Sequence, residues 1–223
     1  MMGKMLALHR NKAASIGIGA LIIFIALVLI AGMAASVIIQ TSSKLETQTL
    51  QTGRDTQKEV STGLDICTIE GYTTSSSADI SKLAIMVRPR SGTEYVDLSG
   101  AFIELSNSTI KVILNYTDSF YDEPDGLDNI FAATVFPNTG TTYDSSKFGI
   151  LVFEDADDSM SSSIPLMNRG DKAFLCINTT AVFSDIPERT TIWGNVIPEE
   201  GFGGAIKFDT PSTYADNVME LQR

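Results

Sequence analysis

From Ala13 to Ser43 the chain runs 31 residues without a charge, bounded by Lys12 and Lys44. Leu21 to Ile30 is almost wholly apolar. A helix over this run would be about 46 Å long at the usual rise per residue. That exceeds the roughly 30 Å hydrocarbon core of a bilayer. Thr41 to Val60 turns polar but keeps Leu45, Leu50 and Val60, a weak apolar stripe rather than a heptad. No proline occurs before Pro89. Gly53 weakens a helix there by about 1 kcal/mol relative to alanine. The pattern predicts one long helix ending near Gly63, with Gly53 as the alternative end.

After Gly63 the apolar period changes to two, with turn signals between short runs. Candidate strands start at Leu64–Ile66 and continue with Leu83–Val87, stopped by Arg88-Pro89, and Tyr95–Leu105, broken at Ser99-Gly100. Thr109–Tyr116 alternates, with Ile110, Val112 and Leu114 on one side and Lys111, Ile113 and Asn115 on the other. Ile130–Phe136, Phe148–Phe153, Ala173–Ile177, Thr190–Ile197 and Ala205–Phe208 complete the set. No helical period and no internal repeat is visible past residue 64. Such a series of short strands reads as an antiparallel β-sandwich head over 63–223, giving an α+β chain.

His9, Arg10 and Lys12 precede the apolar run, and 180 mostly polar residues follow Ser43. Basic flanks stay in the cytoplasm, so the long C-terminal part faces outside. A secretory signal carries its small-residue cleavage site after the apolar core. Here the small pair Ala13-Ala14 comes before it. A protease cutting there removes the charged leader and keeps the helix, which makes sense if the helix is wanted in the product. Gly17, Gly19, Ala20, Ala31, Gly32, Ala35 and Ser36 add small residues within the run. Ala31/Ala35 and Gly32/Ser36 have the spacing that lets helix backbones approach closely, although glycine is frequent in any membrane helix.

These residues resemble the N-terminus of archaellins, the archaeal flagellins. Gly17-Ile18-Gly19-Ala20-Leu21-Ile22-Ile23-Phe24 carries the match, Ile38-Ile39-Gln40-Thr41 closes it, and the C-terminal FDTPSTYADNVMELQR is similar to the archaellin ending. The resemblance implies a leader over 1–14, a cut between Ala14 and Ser15, and a helix over 15–62 that serves first membrane, then filament core. It implies that Gly17, Ile18, Gly19, Leu21, Ile22, Phe24, Ile25, Leu27, Ala31, Gly32 and Ala35 mediate polymerisation. It implies an immunoglobulin-like head, a prepilin-peptidase-like enzyme and a membrane assembly platform as partners, and a homo-polymer or a mixed polymer with other archaellins. Type IV pilins share the leader logic but usually carry a glutamate just past the cut, and Ser15 to Leu21 holds none.

Charge narrows the function. The whole chain carries a net charge of −11, and without Lys4, Arg10 and Lys12 it falls to −14. An acidic head disfavours nucleic acid and anionic lipid. The only histidine, His9, lies in the leader, which removes the usual general base and commonest metal ligand from the mature chain. Serine–histidine and cysteine–histidine chemistry is thereby excluded. A carboxylate-pair hydrolase survives, although nothing marks two acids as a pair. No enzyme activity, cofactor or metal is assigned.

Cys67 and Cys176 are the only cysteines. Outside the cell they can form a disulfide, and the alternative is two buried thiols in separate strands. Three sequons, at Asn107, Asn115 and Asn178, are candidate N-glycan sites on an exported surface, with Asn115 the best placed. Asp122–Asp128 and Glu154–Asp158 are acidic clusters. Alternate carboxylates can hold calcium, but neither cluster has EF-hand spacing, so both read as solvated loops. Trp193 reads as core packing.

The first functional reading is an extracellular filament subunit of the archaellum with a membrane-held precursor, doing no chemistry itself. The second is a type IV pilin-like adhesion subunit. The third is a membrane-tethered extracellular binding domain or enzyme, which would need no cleavage ahead of the helix.

Overall fold

A computed structural model describes residues 2–75, 78–123, 127–137 and 145–223, with side chains from Ile16 onward. The chain divides into two compact units, Met1–Asp55 and Thr56–Arg223.

The first unit is helix. α1 spans Met2–Ser61 and runs unbroken through Gly53, so the end near Gly63 is the correct one. Its threonines return their hydroxyl protons to its own backbone: Thr41 Oγ1 to Val37 O at 2.9 Å, Thr47 to Ser43 O at 3.0 Å and Thr49 to Leu45 O at 2.8 Å. Such a helix leaves few polar groups to satisfy elsewhere, a requirement of any hydrocarbon setting. Every large apolar side chain from Ile16 to Ile39 is exposed.

The second unit is built on β1 (Leu64–Tyr72), β2 (Lys82–Pro89), β3 (Tyr95–Asp97), β4 (Phe102–Ser106), β5 (Lys111–Asp122) and β6 (Lys147–Glu154). β7 (Leu166–Asn168), β8 (Lys172–Asn178), β9 (Thr191–Ile197), β10 (Gly204–Asp209) and β11 (Val218–Gln222) follow. β3 and β7 form a small ribbon, and the other nine make one sheet in the order β10-β9-β4-β5-β6-β8-β2-β1-β11. The sheet curls until its edges meet. Leu64 N donates to Phe202 O, and Phe202 N to Thr62 O, both at 2.9 Å. The Gln222 side chain completes the closure, donating to Ala205 O at 3.0 Å and accepting from Lys207 N at 2.7 Å. The two halves thus face each other over one core, sandwich-like, with Leu83, Ile85 and Val87 opposite Ile103, Leu105 and Ile206 in a single cluster.

Five expectations change. The sheet is not wholly antiparallel: β5 and β6 run parallel. The 24 residues between Asp122 and Lys147 are long enough for the crossover this needs. Ile130–Phe136 is not a strand. Ile130–Ala132 forms a 3-10 turn capped by Asn129, whose side chain accepts from Phe131 N. Its apolar residues instead lie on the outer face of the sheet, where Phe131 stacks on Tyr72 at 5.1 Å and Phe136 joins Cys176 and Phe174 in a second cluster. That cover explains why β6 and β8 read as continuous apolar runs: they are buried on both faces. A short helix, α2 (Thr179–Phe183), does occur past residue 64, at five residues too short to show a period. Trp193 is not core. β9 turns Ile192, Gly194 and Val196 inward and leaves Trp193 outside, 41% exposed. β11, inside the C-terminal stretch, was not among the expected strands.

Candidate polymerisation helix and the sites on the head

In the apolar run the side chains Ile18, Leu21, Ile22, Phe24, Ile25 and Leu27 are between 51% and 65% exposed. Burying one such side chain fully is worth about 1.5–3 kcal/mol, so the run cannot be a water-facing surface in service. Ile16–Ser61 is long and apolar enough to cross a membrane. The small residues say more. A Cβ built at Gly17, Gly19 or Gly32 meets nothing within 4 Å. Each glycine costs a helix about 1 kcal/mol relative to alanine, and the chain's own packing gives no reason for any of them. With Ala31 and Ala35 they suit close approach by another helix. The structure carries α1 through Ala14 and Ser15 without a break.

The sequons separate by setting. Asn115 is exposed on β5 beside Lys111 and Ile113. Asn107 is half-buried in the β4–β5 turn, its Oδ1 accepting from Thr109 N at 3.2 Å and Ile110 N at 2.9 Å. Asn178 is buried. Its Nδ2 donates to Pro137 O at 3.1 Å, and its Oδ1 caps α2 by accepting from Ala181 N. It is therefore no acceptor on the folded head, which corrects its place among the candidates.

The cysteines are corrected too. Both are free. Cys67 lies on β1 and Cys176 on β8, with β2 between them. Strands stand about 4.8 Å apart, so two steps exceed the Cα separation of roughly 7 Å that a disulfide tolerates. Burial pushes the Cys176 thiol well above its ordinary pKa, with Lys82 opposing in part.

The second of the two acidic clusters departs from the solvated-loop reading. Pro124, Asp125 and Gly126 of the first lie outside the described residues. In the second, Asp155 and Asp157 converge with Asp171 from the β7–β8 turn, their carboxylate oxygens within 4.8 Å of one another. Asn168 binds the group together, donating Nδ2 to Asp157 at 2.7 Å and its backbone N–H to Asp171 Oδ2 at 2.7 Å. Asp155 accepts from Ser159 N at 3.2 Å and Met160 N at 2.9 Å. Asp171 is buried, and its Oδ1 has no hydrogen-bond partner. Burial raises its pKa, and the neighbouring Asp155 and Asp157 charges add to that. Asp157 is held below the ordinary range, chiefly by the Asn168 amide. Three carboxylates on two turns are the donor chemistry of a hard cation such as Ca²⁺. Asp171, 14 residues past Asp157, was invisible to a search for alternating acids.

A family model for archaeal-type flagellin matches residues 14–208. The chain is 40% identical to Flagellin B3 of Methanocaldococcus jannaschii over 215 residues, covering 96% of this chain and 97% of the relative. It is 41% identical to Flagellin B4 of Pyrococcus abyssi over 226 residues, 96% of this chain and all of the relative. The fold is similar to the crystal structure of archaeal flagellin FlaB1 from Methanocaldococcus jannaschii. That match has TM-score 0.64 and 32% identity, over 73% of this chain and 98% of that one. It is also similar to the archaeal flagellum of Methanospirillum hungatei strain JF1, with TM-score 0.60 and 14% identity over 93% and 99% of the two chains. The chain belongs to the archaeal-type flagellin family.

Proposed function

We propose that the chain is a structural subunit of the archaellum filament, outside the cell, polymerising through α1 with copies of itself or with other flagellins. It has a structural rather than an enzymatic role. The observation that carries the reading is the partnerless apolar helix with glycines its own chain does not use. In a membrane-held precursor those side chains face lipid; in the filament they face neighbouring helices. Moving from one apolar setting to the other changes little hydrophobic free energy, so close packing at Gly17, Gly19, Ala31, Gly32 and Ala35 supplies the selectivity.

The leader over 1–14 is removed between Ala14 and Ser15 by a prepilin-peptidase-like enzyme, after which an assembly platform in the membrane takes up the helix. Asn115 carries an N-glycan, its side chain exposed and its sequon intact, and Asn107 is the second acceptor. The N-terminal residue of protein recovered from sheared filaments tests the scheme. Ser15 is expected. A retained Met1, or a start beyond Ile39, would overturn it.

A further inference from the structure

Gly63, where the chain enters the sheet, marks one rim of the head. By register the same rim carries the ends of β5, β6, β8, β2 and β1: Asp122 lies opposite Leu151, Glu154 opposite Lys172, Val87 opposite Ala173 and Asp65 opposite Arg88. Charge is divided unevenly along it. Under β2 and β1 a groove of about 640 Å³ is lined by Arg88, Arg90 and Arg169, with Asp65 the one acid. These are three of the five arginines beyond residue 63, in a chain of net charge −11. Arg90 is fixed, its Nε 3.3 Å from Asp65 and its guanidinium over the Phe202 ring at 5.5 Å. Arg88 and Arg169 are exposed. Among the described residues neither forms an ion pair. At the ends of β5 and β6 a second groove, of about 310 Å³, gathers Glu123, Glu154, Asp155 and Asp158. The Lys172–Glu154 pair, at 2.6 Å, lies on the boundary between the two.

Resting on the filament reading, we propose that the arginine groove of one head receives the Glu123–Glu154–Asp158 groove of the next copy. Symmetry argues for this direction. A two-fold contact about an axis between the grooves would also pair arginines with carboxylates, but it uses both grooves of both heads and closes at two copies. A head-to-tail contact sets arginines against carboxylates and leaves the second groove of each head free for another copy. Heterologous contacts of that kind propagate as helical arrays instead of closing. Two guanidiniums without an ion pair among the described residues can take carboxylates in a forked geometry that lysines would not supply. The head contact therefore gives direction and register to subunits whose helices supply the apolar attraction, consistent with charges across an interface setting specificity and orientation more than raw affinity.

The test is a charge swap in cells that make the filament from this chain. Arg88→Glu with Arg169→Glu should lower subunits recovered in sheared filaments on the order of tenfold or more, because like charges then face each other at every contact. Glu123→Arg with Glu154→Arg should do the same. Combining all four in one chain should restore filaments. Both altered grooves are exposed, and recovery in the four-fold variant would show that the head still folds. Unchanged filament yield in the first variant would overturn the contact, as would loss in both pairs without recovery in the combination. If the native chain makes no filaments in the same cells, the reading beneath the contact falls, and the contact with it.

Discussion

The two units bury their apolar residues by opposite means. In the head, Ile103, Leu105, Ile85 and Leu175 are all at 0% exposure, covered by strands of the same chain. In α1, Ile25 is 51% and Ile22 61% exposed. The core of the head is complete within one chain, whereas the helix, on the function proposed, is half of an interface. Changes in the two should therefore separate cleanly, one affecting folding and the other affecting assembly.

The largest separation comes from a charge within the helix. Ile25→Asp costs about 2.5–3.5 kcal/mol at the centre of a membrane helix. Among packed helices an unpaired buried charge costs several kcal/mol, repeated in every subunit. Filaments should vanish from micrographs while the head keeps its β-rich circular dichroism. Normal filaments would remove α1 from the assembly core. The reverse experiment empties the head core. Ile103→Ala should destabilise a fragment beginning at Thr56 by about 2–5 kcal/mol in urea unfolding. Precursor insertion into membranes should be unaffected. The fragment starts at Thr56, earlier than sequence alone would place it, because Lys58 pairs with Glu200 at 2.7 Å and lies over the Tyr95 ring.

A subtler substitution has opposite signs in the two settings. Gly32→Leu strengthens an isolated helix by about 1 kcal/mol, with open space around the Cβ in the single chain. It should nonetheless reduce filament yield, because the added side chain occupies the approach of the next helix. An unchanged or higher yield would show that Gly32 faces no neighbour. The smallest effect lies in the acidic cluster. Burial raises the Asp171 pKa above its unfolded value. Ionised Asp171 is then disfavoured in the fold, so its contribution to stability falls as pH rises from the unfolded pKa through the folded one. Asp171→Asn should raise the Tm of the fragment by a few degrees at neutral pH in chelator. Added Ca²⁺ should shrink or reverse the difference by stabilising the unaltered carboxylates. Equal Tm values in both conditions would place the Asp171 carboxylate in water.

How much could be read from the chain followed the same division. The helix was legible over its apolar run because 31 uncharged residues leave few alternatives, whereas its polar end lay open between Gly53 and Gly63 until the fold placed it at Ser61. Leu83–Val87 was legible as a short apolar run stopped by Arg88-Pro89, and Thr190–Ile197 as a period-two run. Ile130–Phe136 misled because an apolar segment packed over a sheet has the composition of a strand within one. Trp193 misled because residue type suggests burial while alternation decides which face a side chain takes. The parallel β5–β6 pair, the separation of Cys67 from Cys176, and the meeting of Asp171 with Asp155 are long-range facts of topology. No local pattern encodes them. Asn178 reads as a sequon, yet it caps a helix, since an asparagine that suits a glycan also suits an N-cap.

Met33 tests the central claim most directly. It sits in the middle of the apolar run and is 63% exposed in the single chain. Peroxide oxidation of purified, lipid-free filaments, followed by peptide mass spectrometry, reads its accessibility. If α1 forms the filament core, Met33 should resist oxidation on the order of tenfold or more relative to the same filaments dissociated in denaturant, as expected of a thioether shielded within packed helices. Oxidation of Met33 in intact filaments as fast as in denatured subunits would contradict it.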